Sequence, residues 1–408
     1  LSLALFSLGC WCGVRYVRIT LFCTVVALGN GGLARLTQRS KQQVRHNKYV
    51  TTSTSKNFKT KRLLARLEKV WGDLFVDNSF THAVRRVAPP GNAAVNATVA
   101  PCRLSVVIAS WNTKGLLAEC LTSLYADLAA SDIHAHEVLI VDNASTDGTC
   151  QMVRDKFPQT TLIENAKNVG FAKANNQAIR QSTGAYVLLL NPDTVVLPGA
   201  MATLIQFLET HPQAGAVGPR VLNPDGSLQE SCHPLPTLSR ELWRLFHLDT
   251  LRPYAQYPMR SWDVNTERRV DALLGACMLI RRNVLAQTGL LDEDYFMYSE
   301  EVDLCSRIGK ANWGLHWAPQ AQIVHYGGQS TQQVAASMFL RLYQGKVIYF
   351  RKNHGAPTSR YYKLILLAAG VARLAVSPLA LFEHAQRRKR HLALTKSYWQ
   401  LLTHLPSF

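Results

Sequence analysis

Tyr186-Val187-Leu188-Leu189-Leu190-Asn191-Pro192-Asp193-Thr194 decides the fold. Its first five residues are an unbroken apolar run, the mark of a strand buried on both faces. The run stops at Asn191-Pro192, a pair that ends strand pairing, and a lone carboxylate, Asp193, follows. A parallel sheet binds ligands just beyond the carboxyl ends of its strands. Asp193 therefore stands where a metal or a phosphate-bearing ligand would sit. Taken alone, it fits a solvated strand-end turn equally well.

The segments around it alternate. Residues 104–109, 137–141 and 161–164 read as strands, and residues 114–128, 149–156 and 172–181 as helices. Leu117, Cys120, Leu121, Leu124 and Leu128 mark one face of the first helix. Pro198 suits the first turn of a further helix carrying Met201, Leu204, Ile205 and Leu208. Strands alternating with helices predict an α/β fold with a mostly parallel sheet covered on both faces. Residues 223–265 lose the pattern, with five prolines and several aromatics, as binding loops and lids do. Residues 270–280 resume as one buried strand containing Gly275-Ala276. Ser299 is placed to cap a helix ending at Gly309, and residues 315–317 and 322–325 read as two short strands.

The flanks differ from this body. The formal charge is +18, yet residues 87–350 carry a net −3, whereas residues 35–86 carry +10 and residues 351–408 carry +9. A nucleic-acid reader would carry its charge on the folded body, so no nucleic-acid partner is expected. Basic flanks beside apolar stretches point to an anionic membrane surface. The chain starts at Leu1, and residues 1–34 read equally as a trimmed piece, an interfacial helix or a segment outside the working protein. Residues 35–100 are basic and polar; disorder is expected at 37–60, an amphipathic helix at 61–75 and a proline-containing linker at 88–101. Residues 101–355 form the expected catalytic domain, and 356–408 a membrane-associated tail. In that tail an apolar stretch at 364–382 is broken by Arg373 and Pro378 and followed by Arg387-Arg388-Lys389-Arg390. A central Arg costs about 2.5 kcal/mol or more on a crossing helix, which favours lying in the interface. Packing on the body is the other reading. The nine cysteines are scattered with no C-x-x-C pair, as suits a reducing compartment.

Four groups carry candidate chemistry: Ala109-Ser110-Trp111-Asn112; Asp142-Asn143 through Gly148-Thr149; Asn191-Pro192-Asp193; and Ser299-Glu300-Glu301-Val302-Asp303 with His325. Each has a bland reading as turn, cap or structural histidine. In order they run VVIASWN (106–112), VLIVDNASTDGT (138–149), NVGFAKANNQAI (168–179), YVLLLNPDT (186–194), GACMLIRR (275–282), FMYSEEVDLCSR (296–307) and IVHYGG (323–328). This series resembles glycosyltransferase family 2, inverting nucleotide-sugar enzymes of the GT-A fold, and most of all its rhamnosyltransferase-like branch.

The resemblance implies a nucleoside diphosphate sugar donor (dTDP-rhamnose first, a UDP-sugar otherwise) and a glycan or lipid-linked acceptor in cell-envelope synthesis at the cytoplasmic membrane face. It implies a divalent cation, Mn²⁺ or Mg²⁺, held by Asp193 with His325 as second ligand. Asn191 stands where the family's usual D-x-D has its first Asp, and would orient a phosphate or ribose. Ala109, Trp111, Asp142 and Asn143 would frame the nucleotide, Asn168, Gly170 and Asn175 the donor pocket, and Gly275 and Ala276 the acceptor side. The base that deprotonates the acceptor hydroxyl falls among Glu301, Glu300 and Asp303, with Glu301 at the position of the family's catalytic carboxylate. Crowding of three acids would raise one pKa. Two other classes remain. A non-catalytic sugar-nucleotide or membrane-interaction protein on the same fold is favoured only by the altered Asn191 and Glu301. A dinucleotide-dependent oxidoreductase needs G-x-G-x-x-G after the first strand, where this chain has Ser110-Trp111-Asn112-Thr113-Lys114-Gly115.

Overall fold

A computed structural model of the 408-residue chain describes residues 6–8, 19–21, 104–328, 334–378 and 384–408. The readings made for residues 35–100 lie outside the described residues. In the apolar lead, β1 (Phe6–Leu8) and β2 (Ile19–Leu21) pair antiparallel, so these stretches are strand and not helix.

The body begins with β3 (Leu104–Ser110), α1 (Lys114–Ala130), β4 (His136–Asp142), α2 (Thr149–Lys156), β5 (Thr161–Glu164), α3 (Phe171–Gln181) and β6 (Tyr186–Leu190). Strand β3 pairs parallel with both β4 and β6, and β4 with β5. Every residue of β3 and β6 is buried, and their side chains alternate between two cores. Leu104, Val106, Ile108, Leu188 and Leu190 pack with Leu117, Leu121 and Leu124 of α1. Val107, Ala109, Val187 and Leu189 pack with Ala174, Ala178 and Ile179 of α3. Full burial of one such side chain stabilises by about 1.5–3 kcal/mol, which fixes the register, since a one-residue slip would exchange the two faces.

Beyond β6 come β7 (Thr194–Val196), α4 (Ala200–Thr210), β8 (Ala214–Leu222), β9 (Cys232–His233) and α5 (Leu238–Leu245). Then follow β10 (Arg268–Val270), β11 (Ala272–Leu273), β12 (Cys277–Arg281), α6 (Arg282–Thr288), α7 (Glu300–Lys310) and β13 (Gly314–His325). The main sheet has the order β10-β13-β8-β12-β6-β3-β4-β5, with β7 paired to β13. Strand β12 runs antiparallel between β6 and β8, so the sheet is mixed. The expected α/β sheet with helices on both faces is met.

Several local expectations are corrected. Helix α4 starts at Ala200, not Pro198: Gly199 precedes it at φ 79°, and Asp127 of α1 accepts from Gly199 N at 2.5 Å and Met201 N at 2.9 Å. Ser299 precedes α7 at φ 74°, but its side chain makes no capping bond. The stretch 270–280 divides among β10, β11 and β12, and 315–325 is one strand with an irregularity between Ala318 and Gln322. The patternless 223–265 contains α5, whose cap is Thr237, Oγ1 accepting from Arg240 N at 3.2 Å.

Two further helices complete the chain, α8 (Ala335–Val376), broken at Gly355 (φ 84°, ψ 166°), and α9 (Ala385–His404). Phe339, Tyr343, Phe350, Tyr362, Leu366, Tyr398 and Leu401 join Leu245 and Tyr295 in a third core. Among the described residues no helix is long and apolar enough to cross a membrane.

Candidate functional site

The loops after β3 and β4 are laced together by side chains. Asn112, at φ 50°, donates its N–H to Ser145 Oγ at 2.8 Å and accepts from Thr146 N at 2.8 Å through Oδ1. Lys114 N donates to Asp147 Oδ2 at 2.9 Å, and Asp142 Oδ2 accepts from Ser145 N at 2.8 Å. The density of turn formers at 142–149 is thus spent on holding the two strand ends at one height.

Between these loops and the start of α3 lies a cleft of about 310 Å³. Of the sequence-predicted residues, Ala109, Trp111, Asn143, Asn168, Gly170, Asn191 and Asp193 line it. Asp142, Asn175, Gly275, Ala276, Glu300, Glu301, Asp303 and His325 do not. Asp142 is buried beneath its loop, with Oδ1 unpartnered, and Asn175 donates to Phe171 O of its own helix at 2.9 Å. Asn143 Nδ2 donates to Gly170 O at 3.4 Å. Gly170 has φ +89°, and a Cβ there would meet Phe296 O at 2.5 Å, so only glycine permits this approach.

Sheet register brings Asp193 and His325 together. Strand β7 pairs with β13 so that Thr194 faces His325, and Asp193 precedes Thr194. His325 Nε2 lies 3.3 Å from Asp193 Oδ1 and 3.4 Å from Asn191 Nδ2. Asp193 and His325 are only 5% and 7% exposed. Asn191 Oδ1 is buried without a partner. Among the described residues no group of three or more His, Cys, Asp or Glu side chains gathers to hold a metal. Asp193 and His325 offer two donor atoms only, at a spacing compatible with one divalent cation: two atoms bound at right angles, each about 2.1 Å from an ion, lie about 3 Å apart.

The three acids of α7 have different surroundings. Tyr298 and Ser299 enter the helix with consecutive positive φ values, 71° and 74°, held by Gly345 of α8, where a Cβ would meet Tyr298 O at 2.5 Å. Glu300 is buried, and Glu300 Oε2 and Glu301 Oε2 have no hydrogen-bond partner. Burial pushes the Glu300 carboxyl well above the usual carboxylate range, and the charge of Glu301 adds to it. Burial raises Glu301 as well, against the N–H groups of the helix start. Asp303 is engaged on both oxygens, by Arg307 Nε at 2.8 Å and Asn353 Nδ2 at 2.7 Å. Gly275 touches Glu301, whose Cβ would lie 3.5 Å from a Cβ on that glycine, and its neighbour Ala276 accepts from Asn191 N at 2.9 Å. The chain of contacts Asn191, Ala276, Gly275, Glu301 therefore joins the strand-end loop to the acidic helix, although Glu301 does not itself line the cleft.

Three groups near the site gave no sequence signal. Arg341 lines the cleft and lies over the Phe296 ring at 4.7 Å. Lys346 is bonded to buried Glu241 at 2.7 Å. Burial pushes its ammonium down to about 8, with the charge of Arg244 adding. Gln229 Oε1 lies 2.6 Å from His325 Nδ1.

A sheet with these crossovers, a carboxylate beyond its central strand beside a cleft, and an acidic helix joined to that strand end through Gly275 and Ala276 is the design of a GT-A glycosyltransferase. The profile of Glycosyl transferase family 2 matches residues 105–287. The N-acetylglucosaminyl-diphospho-decaprenol L-rhamnosyltransferase of Mycobacterium tuberculosis is 32% identical over 253 residues, 57% of this chain and 80% of its own. The low-salt glycan biosynthesis hexosyltransferase Agl10 of Haloferax volcanii is 27% identical over 267 residues, 64% of this chain and 78% of its own. Rhamnosyltransferase WbbL of Escherichia coli K12 is 26% identical over 178 residues, 42% of this chain and 66% of its own. The chain belongs to glycosyltransferase family 2, among rhamnosyltransferase-like members.

Proposed function

We propose that this glycosyltransferase moves rhamnose from a nucleoside diphosphate donor, dTDP-rhamnose first, to a lipid-linked or polysaccharide acceptor, with inversion, at the cytoplasmic face of the membrane. The observation that carries the reading is the pairing of Asp193 with His325 beside the cleft that Trp111, Asn143 and Gly170 line. Asp193 and His325 would hold a divalent cation, which when bound neutralises charge on a departing diphosphate. Arg341 faces the same cleft and offers a guanidinium to a phosphate. Trp111 offers a ring for the base, and the Asn143 and Asn168 side chains polar edges for base or ribose.

The acceptor hydroxyl attacks the anomeric carbon as the bond to the diphosphate breaks, and its proton passes to Glu301. Glu301 suits this because its raised carboxyl takes up a proton more readily than an exposed one. Asp303 suits it poorly, both oxygens being engaged. Glu300 sits beside it, its carboxyl pushed well above the usual carboxylate range by burial and by the charge of Glu301. The relatives' names support rhamnose and a diphospholipid-borne acceptor.

The test is a panel of nucleotide sugars with Mn²⁺ and a prenyl-diphosphate-linked acceptor, read as sugar transferred. Wild type is expected to prefer dTDP-rhamnose and Asp193→Ala to lose transfer at least 100-fold. Equal turnover by Asp193→Ala would end the metal assignment, and preference for another donor would end the rhamnose assignment.

A further inference from the structure

The 223–229 turn carries a chain of hydrogen bonds whose direction can be settled from one end. Asp225 begins it, because an ionised carboxylate only accepts. Ser227 Oγ donates to Asp225 Oδ1 at 2.6 Å, which uses its one proton. Ser227 Oγ must then accept, and Asn223 Nδ2 donates to it at 2.9 Å. This turns Asn223 Oδ1 towards Gln229, whose Nε2 donates to it at 2.9 Å. Gln229 Nε2 also donates to the backbone carbonyl of His325 at 3.2 Å, an independent constraint on the same amide. Gln229 Oε1 therefore faces His325 Nδ1 at 2.6 Å, and at that contact the imidazole must donate. In the neutral ring the proton sits on Nδ1, and Nε2 is left with a lone pair. Nε2 is the atom 3.3 Å from Asp193 Oδ1.

We propose that Gln229 is a positioning residue: it fixes the His325 ring in the Nδ1–H tautomer and presents Nε2 beside Asp193 as a cation ligand. The second half of this statement rests on the metal reading given above; the first half does not. A histidine that ligates through one nitrogen is oriented by an acceptor on the other, and removing that acceptor costs about 10–100-fold in metal affinity.

Two measurements test it. In the metal-free protein labelled with ¹⁵N-histidine, at about pH 8.5, wild type is expected to show His325 as Nδ1–H. Gln229→Met should shift it towards Nε2–H. An Nε2–H ring in wild type overturns the proposal, whether or not any variant folds. Mn²⁺ affinity, measured by calorimetry on the full chain, should fall about 10–100-fold in Gln229→Met. In Gln229→Glu, where a carboxylate still accepts from Nδ1–H, affinity should stay within a few-fold of wild type. In a His325→Gln background the Gln229→Met change should have no further effect. An equal loss in both backgrounds would mark a merely structural role and overturn the proposal. Wild type that takes up no Mn²⁺ refutes the metal reading, and with it the ligand half of the proposal. Wild type that binds Mn²⁺ beside a Gln229→Met of equal affinity refutes the Gln229 assignment alone.

Discussion

At the scale of single residues, hydrogen bonding separates acids that lie side by side in the chain. Glu301→Gln removes the proposed proton acceptor but keeps the shape of the helix start. Turnover should fall about 10²–10⁴-fold, with donor affinity by calorimetry within a few-fold of wild type. Asp303→Asn breaks a buried charge pair with Arg307 and should cost about 3 kcal/mol in a denaturant melt, while the folded fraction keeps its turnover. The opposite split would move the base to Asp303. Glu300 gives a pH prediction of known sign. Its folded-state pKa is raised, so its contribution favours the fold at low pH and is lost as pH rises through that value. Glu300→Gln should therefore raise Tm near pH 8 and leave it nearly unchanged near pH 4; a lower Tm at both would contradict the burial argument. The sequence placed all three acids in one helical turn, and the family resemblance put Glu301 first, with Glu300 and Asp303 left open. Asn353, which engages Asp303, lies 50 residues further on, and nothing about an asparagine announces such a contact.

At the scale of elements, what was legible followed from periodicity. The runs 104–109 and 186–190 announced their strands because both faces are buried, and α1 announced itself by its apolar stripe. Their ends were less legible. Helix α4 starts where a carboxylate from α1 accepts from the N–H of Gly199, just before the helix, and of Met201 within it, a cap supplied by another element and invisible to local spacing. The stretch 270–280 reads as one strand because each part is apolar, yet Ala272 and Leu273 pair with β9 while residues 277–281 return to the main sheet. His325 was placed correctly at a strand end, but its meeting with Asp193 depends on the antiparallel register of β7 and β13, which no local pattern encodes. The junction of β5 and α3 yields a sharper test. Gly170→Ala must either leave φ +89° or push back Phe296 O, 2.5 Å from the new methyl. A loss of about 1–3 kcal/mol in stability is expected, together with weakened nucleoside diphosphate binding, because both partners line the cleft. Unchanged binding and stability would show that the two loops do not need this approach.

At the scale of the whole molecule, the two C-terminal helices have a covered side and an uncovered one. Tyr362, Leu366 and Ala369 of α8 are buried in the third core. Arg373, which interrupts the apolar stretch in sequence, turns inward, its guanidinium 4.8 Å over the Tyr398 ring. The reading of this stretch as a helix packed on the body is therefore right for one face. On the other face Tyr361, Leu364, Leu367 and Val371 recur at helical spacing with 61%, 58%, 43% and 51% of their surface exposed, and on α9 Trp399 is 62% exposed. A helix that only closed a core would not need apolar residues outward, and this segment carries the +9 of residues 351–408. The pattern fits a surface resting on anionic lipid, which would bring a lipid-borne acceptor to the enzyme. The full-length protein should float with phosphatidylserine-containing vesicles and less so with neutral ones, the difference shrinking in high salt. Burying one such side chain is worth about 1.5–3 kcal/mol, so Leu364→Ser/Val371→Ser should weaken vesicle binding by about 100-fold. Because both side chains are exposed, the same double variant should melt within a degree or two of wild type and turn over a short water-soluble acceptor normally. If it floats as well as wild type, lipid contact lies elsewhere on the chain; if it melts early, the outward face is covered by protein and the membrane reading fails.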